Sequence, residues 1–316
     1  MSLSISKLTG YATLAAVSMS APTAFAALSW QQVTNATSGG GTIYASSIAV
    51  TAANEPYILD SNTGGVFYLS SVSSGGFGNS LAWVRDGTIT ASFVGVEPDN
   101  LVFAFDDATS HYLADSSGVT FNQTFFAPQG QWAVQSTGGC LTSMGQIHYN
   151  GALIGAGCGF DAYGNAGLFT QAPLAAPWQQ LPGAAIEMAV FTSSSNFLDQ
   201  SLWTINQQGL VYAYDDSTNN WVEEPGWGVQ LITDHAALGS DGIHMWDDSA
   251  SDFISGQLVH GNWTTAVIGA LPDGSAMTQI AYAPAASAQG EAFGGPSALW
   301  AIDRLGSVWT AGSPVR

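Results

Sequence analysis

The sequence has few basic residues, and this scarcity excludes two classes of partner. Only 4 of its 316 residues are Lys or Arg, against 23 Asp and Glu, so the net charge is −19 at pH 7. Nucleic acids and anionic membrane surfaces are bound by clustered Lys and Arg. We therefore expect neither nucleic acid nor a membrane among the partners.

Long apolar runs are also lacking. The N-terminal stretch Met1–Ala26 has Lys7 near its start, a short apolar segment and the small-residue pattern Ala24-Phe25-Ala26 at its end. This order is typical of a cleaved secretory signal peptide, and its apolar segment is too short to span a bilayer. An uncleaved N-terminal anchor is the alternative. We expect residues 1–26 to be a signal peptide and residues 27–316 to be a single secreted, extracellular domain with three Arg and 23 acidic residues, a net charge of −20.

Cysteine is scarce too, with only Cys140 and Cys158. An even number of cysteines in an exported protein predicts a disulfide, and two buried free thiols are the alternative. Two Cys without nearby His at ligand spacing are too few for a metal site. The chain also has no Gly-x-Ser-x-Gly, His-Glu-x-x-His or phosphate-binding loop motif, so we expect no metal and no cofactor.

What the chain does have is a repeated hairpin phrase. In Ser201–Tyr214 two short apolar runs flank a polar turn that contains Gly, and similar phrases begin at Tyr57, Val102 and Leu299. Looser copies begin at Cys158 and Ile243. Helical periodicity is nearly absent, so the pattern predicts an all-β protein. Six tryptophans mark the repeats at spacings of 42–53 residues: Trp30, Trp83, Trp132, Trp178, Trp221 and Trp263.

A period of about 40–50 residues with four strands is typical of a β-propeller blade. The last period ends at Val308-Trp309, its third strand, and lacks a fourth. The mature chain begins with an extra strand, Ser29–Val33. Pairing these two strands would remove an exposed edge and close the ring. The sequence therefore predicts a six-bladed β-propeller with four-stranded blades, closed by the N-terminal strand pairing with the C-terminal blade.

The repeats resemble those of the tectonin family, which includes the tachylectin lectins. Trp178–Gly183 is similar to the Trp…Pro-Gly phrase of that family, and Leu202–Asn206 and Val211–Tyr214 are similar to its two strand phrases. The period from Trp132 to Phe169 departs from the pattern because the Val-Trp phrase is missing. The resemblance implies propeller blades and a carbohydrate-binding, lectin-like function with glycans or glycoconjugates as partners.

One acidic or amide residue follows the second strand of each predicted blade. Such a ring would accept hydrogen bonds from sugar hydroxyls or bind a cation. The alternative is that each residue caps its own tight turn through backbone N–H groups. Arg304 follows one of them and would be either a ligand contact or half of an ion pair. The six ring residues are Asp60, Asp106, Asp161, Asn206, Asp247 and Asp303.

The marker tryptophans are expected to pack between neighbouring blades, with sugar stacking as the alternative. Trp227 differs, because it follows Glu223 and Glu224 outside the repeat pattern, in a segment predicted to be an inter-blade loop. A loop tryptophan beside carboxylates is a candidate sugar contact. We therefore expect the ligand on the face that carries the ring turns, with Trp227 as its aromatic contact.

Two other functions stay open. Asp106-Asp107 with His111, and Asp247-Asp248 with His244, could serve general acid–base chemistry in a glycan-active hydrolase or lyase at the mouth of the propeller channel. An interaction scaffold or effector without a small-molecule site is the third possibility. The similarity of the blades, and the absence of a distinctive acid pair, favour the lectin.

Overall fold

The computed structural model describes residues 29–51, 54–73, 79–96, 102–106, 111–115, 132–137, 141–149, 152–160, 162, 165–171, 177–193, 196–228, 230–232, 242–247, 252–257, 263–267, 269–283 and 298–311. Residues 1–26, Asp107, Cys140, Asp161 and Asp248 lie outside these ranges. The side chains of Asp247, Cys158, His111 and His244 lie outside the described part as well, although their backbones are within it.

The described residues form an all-β architecture of six antiparallel sheets with four strands each. Within the ranges given above, no helix is long and apolar enough to cross a membrane. Sheets I to V follow the chain, and sheet VI combines its last three strands with its first. Sheet I contains β2 (Ala45–Val50), β3 (Pro56–Asp60), β4 (Val66–Ser73) and β5 (Asn79–Arg85); sheet II contains β6 (Phe93–Val96), β7 (Val102–Asp106), β8 (His111–Asp115) and β9 (Trp132–Thr137); sheet III contains β10 (Leu141–Tyr149), β11 (Ala152–Phe160), β12 (Ala166–Gln171) and β13 (Gln179–Ala185). Sheet IV contains β14 (Glu187–Ser193), β15 (Asn196–Ile205), β16 (Leu210–Asp215) and β17 (Asn220–Trp227); sheet V contains β18 (Gln230–Ile232), β19 (Gly242–Asp247), β20 (Asp252–Gln257) and β21 (Trp263–Val267); sheet VI contains β22 (Met277–Ala283), β23 (Ala298–Asp303), β24 (Val308–Ala311) and β1 (Trp30–Gln32).

The hairpin β15–β16 shows why the repeated phrase folds as predicted. Alternating apolar residues form the two strands, and Asn206 begins the turn between them. The Asn206 Oδ1 atom accepts hydrogen bonds from the backbone N–H groups of Gln208 (3.0 Å) and Leu210 (2.9 Å). Gly209 has φ of +78°, a left-handed conformation that glycine adopts without steric cost. The turn chemistry therefore fixes the register of the hairpin.

The two ends of the described chain meet in sheet VI. β1 pairs with β24, with Trp30 opposite Ala311 and Gln32 opposite Trp309. The sequence predicts this pairing from the missing fourth strand of the last repeat. The segment after β1 continues onto sheet I, where the backbone N–H of Trp83 donates to the Ala36 carbonyl (2.9 Å).

The core lies between the faces of consecutive sheets. One apolar cluster joins Ile48 of sheet I to Trp300 of sheet VI, and similar clusters join I with II, III with IV, and IV with V. Trp300 is fully buried. Burial of such a side chain contributes about 1.5–3 kcal/mol, so the contacts between sheets are a principal source of stability.

The predicted disulfide lies at the edge of what the structure describes. In sheet III, Leu141 pairs with Gly157, and these are the chain neighbours of Cys140 and Cys158. A disulfide joins Cα atoms roughly 4.4–6.8 Å apart, a spacing typical of residues paired across antiparallel strands. The bond between the two cysteines stays a prediction.

Candidate ligand-binding cleft

A cleft of about 510 Å³ opens between sheets VI and I, at the end of the sheets that carries the turns after the second strands. Three segments line it: the link into β2, the turn after β3 and the turn after β23. Two predicted ligand residues, Asp303 and Arg304, are in its wall. Its lining residues are Tyr44, Ala45, Ser46, Ser61, Asn62, Thr278, Asp303, Arg304, Leu305 and Gly306.

Tyr44 projects into this cleft from a backbone that is fixed on both sides. Its N–H donates to the Oδ1 atom of Asp60 (3.0 Å), and its carbonyl accepts from the Ser61 N–H (2.8 Å). The next residue, Ala45, donates its N–H to the Gly306 carbonyl of sheet VI (2.9 Å). The Tyr44 side chain is 45% exposed, so an aromatic ring faces solvent on a rigid base.

Gly306 is in the turn after β23, the wall of the cleft that sheet VI supplies, and it packs against the link into β2. Its φ is +76°, and a Cβ atom added there would lie 3.0 Å from backbone atoms of Tyr44 and Ala45. Both the conformation and the close approach require glycine. Two sheets are thereby joined by backbone contacts beneath the cleft, which limits its ability to change shape.

Asp303 supports the turn of sheet VI from inside. Its Oδ1 atom accepts from the backbone N–H groups of Leu305 and Ser307 (both 2.8 Å). Its Oδ2 atom accepts from the indole Nε1 of Trp309 (3.0 Å) and the hydroxyl of Ser275 (3.3 Å). The Asp303 side chain is buried, so this carboxylate organises the cleft wall rather than facing the solvent.

Asp60 has the same role in sheet I. Besides accepting from Tyr44, it accepts through Oδ2 from the N–H (3.2 Å) and the hydroxyl (2.7 Å) of Thr63. Asp60, Asn206 and Asp303 thus all act as turn caps, which is the alternative that the sequence offers for them. Ligand binding by the ring residues themselves stays a prediction.

The remaining ring positions are only partly described. Asp106 and Asp247 are the last residues of β7 and β19, the place that Asp60 and Asp303 hold in their own sheets. The equivalence of these positions, predicted from sequence, is therefore seen in four sheets, and Asn206 directly follows the corresponding strand in a fifth. These other ring residues are in sheets II, IV and V, away from the lining of the cleft.

Arg304 is the one cationic residue in the cleft lining. Its backbone N–H donates to the Ala276 carbonyl (3.2 Å), which fixes its Cα, and its side chain is exposed. Within the described ranges its guanidinium makes no ion pair. It can therefore donate hydrogen bonds to a ligand.

Trp227 is in sheet IV and not in this cleft. The loop predicted around it is wrong: β17 continues through Pro225 to Trp227, and a register shift opposite Leu210 and Val211 accommodates the extra residues. Proline is tolerated there because β17 is an edge strand. The Trp227 indole donates to the Gln208 carbonyl (2.8 Å) and is 40% exposed.

Two marker tryptophans have the inter-blade packing role expected from the sequence. The Trp83 indole donates to the Thr34 carbonyl, and the Trp221 indole to the Pro182 carbonyl, both at 2.6 Å. Each accepting carbonyl comes two residues after a Trp-Gln-Gln phrase at the outer strand of the neighbouring sheet, which is β1 of sheet VI for Thr34 and β13 of sheet III for Pro182. These indoles therefore join neighbouring sheets.

The residue that sequence reasoning missed is Tyr44. It lies in a link between sheets, outside the repeat phrases, although the surrounding small residues of Gly39–Ser47 make an aromatic there conspicuous.

In the parts of the chain that are described, no group of three or more His, Cys, Asp or Glu residues could hold a metal ion.

No protein-family model matches the chain, and no curated protein matches it by sequence. Among solved structures, a gluconolactonase from Xanthomonas campestris is similar over 90% of this chain and 89% of its own, with a TM-score of 0.50 and 11% sequence identity. Virginiamycin B lyase from Staphylococcus aureus is similar over 90% and 99%, with a TM-score of 0.47 and 9% identity. The likeness to the gluconolactonase, a β-propeller protein, shows that this chain has the β-propeller fold.

Proposed function

We propose that this protein is a secreted, lectin-like β-propeller that binds glycans in the cleft formed around Tyr44. The observation that carries the proposal is the exposed Tyr44 ring on a backbone that two hydrogen bonds of Tyr44 and one of Ala45 hold in place. Sugar rings have apolar faces that stack on aromatic side chains and hydroxyls that need fixed polar partners. The cleft supplies both kinds of group.

The polar partners surround the ring on two sides. Ser61 and Asn62 extend from the turn of sheet I, and Arg304 extends from the turn of sheet VI. All three are exposed, whereas the carboxylates beneath them are engaged in the turns. A preformed site of this kind binds with little loss of conformational freedom, which favours affinity.

The proposal includes a closed ring of six blades. The inner strands contact each other in a complete cycle, β2–β6–β10–β14–β18–β22 and back to β2. The pairing of β1 with β24 gives the last blade its fourth strand. Both observations support the closed six-bladed ring, and the resemblance of the repeats to tectonin blades supports a lectin within that fold.

The cleft is expected to be a single site rather than one of six. Ala276 in sheet VI stands where Tyr44 stands in sheet I, because Arg304 donates to its carbonyl as Ser61 donates to that of Tyr44. By strand register, Ala184, near the end of β13, has this position ahead of β14, the first strand of sheet IV. An aromatic platform is thus missing from these two positions, and we expect one ligand per chain at the Tyr44 cleft.

A glycan-active enzyme is the rival. Hydrolysis of a glycosidic bond requires two carboxyl groups that flank the bond and reach it. In the cleft lining the one carboxylate, Asp303, is buried and accepts four hydrogen bonds. The described cleft therefore favours binding without turnover.

The experiment is a glycan array probed with mature protein, followed by calorimetry and turnover assays on the hits. We expect glycan binding that Tyr44→Ala weakens and Tyr44→Phe retains, because the ring face makes the contact. Val222→Ala is the matched control, since Val222 is 46% exposed and outside the cleft. Product formation from a hit would support the enzyme, and the absence of any binding would contradict the proposal.

A further inference from the structure

We propose that the glycan bound in this cleft carries a negatively charged group, a carboxylate or sulfate, which Arg304 binds. This inference rests on the proposed function. Arg304 is one of three Arg in a chain with 23 acidic residues, and it is exposed in the lining of the cleft. A guanidinium binds carboxylates and sulfates through paired N–H donors, a geometry that neutral hydroxyls do not match.

The carboxylate of Asp303 does not form an ion pair with the guanidinium of Arg304. Asp303 precedes Arg304 in the chain, but its two oxygen atoms accept from groups of its own turn and from Trp309 and Ser275. An anionic ligand would therefore meet a guanidinium that no described acid pairs with. Because the rest of the chain is acidic, an anion would bind here in preference to other exposed surfaces.

The test compares array glycans in pairs that differ only by one carboxylate or one sulfate. We expect the acidic member to bind roughly tenfold more tightly, the usual effect of a hydrogen bond to a charged group. Arg304→Gln should remove this preference, while Arg304→Lys should keep part of it. The carboxylate and sulfate pairs distinguish the two sources of charge.

The outcomes separate this inference from the proposed function. Binding that depends on Tyr44, but is equally tight for neutral and acidic members, would overturn the acidic ligand and leave glycan binding intact. An acid preference that survives Arg304→Gln would also overturn it. Loss of all binding in the parent protein would contradict both.

A second inference comes from the inner strands. In five of the inner strands one position is paired with the last apolar residue before the ring turn: Ser47 with Leu59, Phe93 with Phe105, Glu187 with Ile205, Gln230 with Trp246, and Gln279 with Ile302. At two of these positions a glutamine amide bridges to the next inner strand. Gln230 donates to the Ile280 carbonyl and accepts from its N–H (both 2.9 Å), and Gln279 accepts from the Ile48 N–H (2.7 Å).

Glu187 is at the matching position in β14. Two residues along the same strand face, Ala189 packs with Leu231 of β18, so Glu187 faces the junction between sheets IV and V. Glu187 is half-buried, and burial raises the pKa of its carboxyl group from its ordinary value near 4.5 to about 8. On the strands that contact β14, the other titratable residues are His148 and Tyr149 of β10 and Asp199 of β15, while β18 has none.

We propose that Glu187 is held as a neutral carboxylic acid at this junction, in the strand position that Gln230 and Gln279 have at the next two junctions, and that its ionisation loosens sheet IV from sheet V. A protonated carboxyl offers one donor and one acceptor, as an amide does. An ionised one would place a negative charge at a half-buried junction between two sheets, which costs solvation free energy. Proton binding would thereby stabilise the fold.

The direction in which stability changes with pH follows from the linkage between proton binding at Glu187 and folding. The folded protein holds this proton up to about pH 8, whereas the unfolded chain releases it near pH 4.5. The stabilisation is therefore complete below about pH 4.5, is lost as the pH rises towards about 8, and changes no further above that. Acidic conditions favour the folded ring through this residue.

The experiment measures urea unfolding of the parent, Glu187→Gln and Gln230→Glu from pH 5 to pH 9. We expect Glu187→Gln to flatten the pH dependence and to unfold at higher urea than the parent at pH 9. Gln230→Glu, the matched control, should acquire an extra loss of stability with rising pH. Parallel curves for the parent and Glu187→Gln would overturn the inference.

Discussion

Two aromatic side chains are exposed beside ring turns, Tyr44 in sheet I and Trp227 in sheet IV, and the structure holds them in opposite ways. The backbone of Tyr44 is bonded to the turn of sheet I and that of Ala45 to the turn of sheet VI, while the Tyr44 ring extends into a cleft. The indole of Trp227 donates to Gln208 and covers Gly209 in its own sheet. The first side chain is presented to solvent, and the second closes a hairpin.

This contrast teaches that residue type and exposure do not by themselves mark a binding residue. Tyr44 and Trp227 are almost equally exposed, at 45% and 40%. What separates them is whether the side chain or only the backbone is committed to the fold. Trp227 attracts attention in the sequence because of its large ring, but that ring has a structural partner.

The largest expected effect is on stability, and it concerns the ring turns beside Tyr44 and Trp227. Replacing Asp303 by Ala would leave four donors without their acceptor, among them the backbone N–H groups of Leu305 and Ser307. We expect the free energy of unfolding to fall by about 3 kcal/mol or more, since each buried unsatisfied donor costs about 1–3 kcal/mol. Urea denaturation measures this. A loss below that of Asn206→Ala would show that the two turns do not differ as described.

The next largest effect is the loss of stability when Ala replaces Gly306, compared with the same change at Gly209; both glycines have positive φ. At Gly306 an added Cβ would meet backbone atoms of Tyr44 and Ala45, whereas at Gly209 it would meet the Trp227 indole. An indole at a sheet edge can rotate away, but paired backbone cannot. We expect Gly306→Ala to cost about 2–3 kcal/mol and to weaken glycan binding.

Gly209→Ala is the control for that comparison. It should cost less stability and instead change the fluorescence of Trp227 as the indole is displaced. Equal losses of stability in the two variants, or unchanged glycan binding by Gly306→Ala, would contradict the view that the cleft depends on backbone contact between sheets.

Much of the fold could be predicted from the sequence because its signals are local. The phrase Ser201–Tyr214 alternates apolar residues around a Gly-containing turn, and the structure forms β15 and β16 there. The missing fourth strand of the last repeat indicated the pairing of Trp30 with the C-terminal strand. Period and turn chemistry act over a few residues, so they can be read directly from the chain.

The candidate cleft could be predicted only in part. The sequence indicates Asp303 and Arg304 by their place after a second strand, and both line the cleft. It does not indicate Tyr44, because the position of this residue depends on contacts with the turns at Asp60 and Gly306, which are distant in sequence. It predicts a loop at Trp227 because the bulge that extends β17 has no local signature.

The third prediction sets the two aromatic residues against each other. Tyr44→Ala should weaken glycan binding by about 1–3 kcal/mol, as loss of an anchor ring does, with little change in stability. Trp227→Ala should leave binding in the Tyr44 cleft intact and lower the free energy of unfolding by about 1 kcal/mol, from its lost hydrogen bond. Calorimetry and urea unfolding of both variants give the comparison. Loss of glycan binding in Trp227→Ala instead would indicate that the ligand site is on sheet IV.

The smallest expected effect concerns Asn206, the one amide in the ring. Its Oδ1 atom accepts from two turn N–H groups in a half-exposed position, where water can replace part of what is lost. We expect Asn206→Ala to cost about 1 kcal/mol, near the value for one net hydrogen bond, and Asn206→Asp to cost less because a carboxylate accepts the same two bonds. Urea unfolding of the two variants separates these outcomes. If Asn206→Asp were as destabilised as Asn206→Ala, the turn would depend on the amide N–H₂ group, and capping by a shared acceptor would not explain why Asp holds this place in the other sheets.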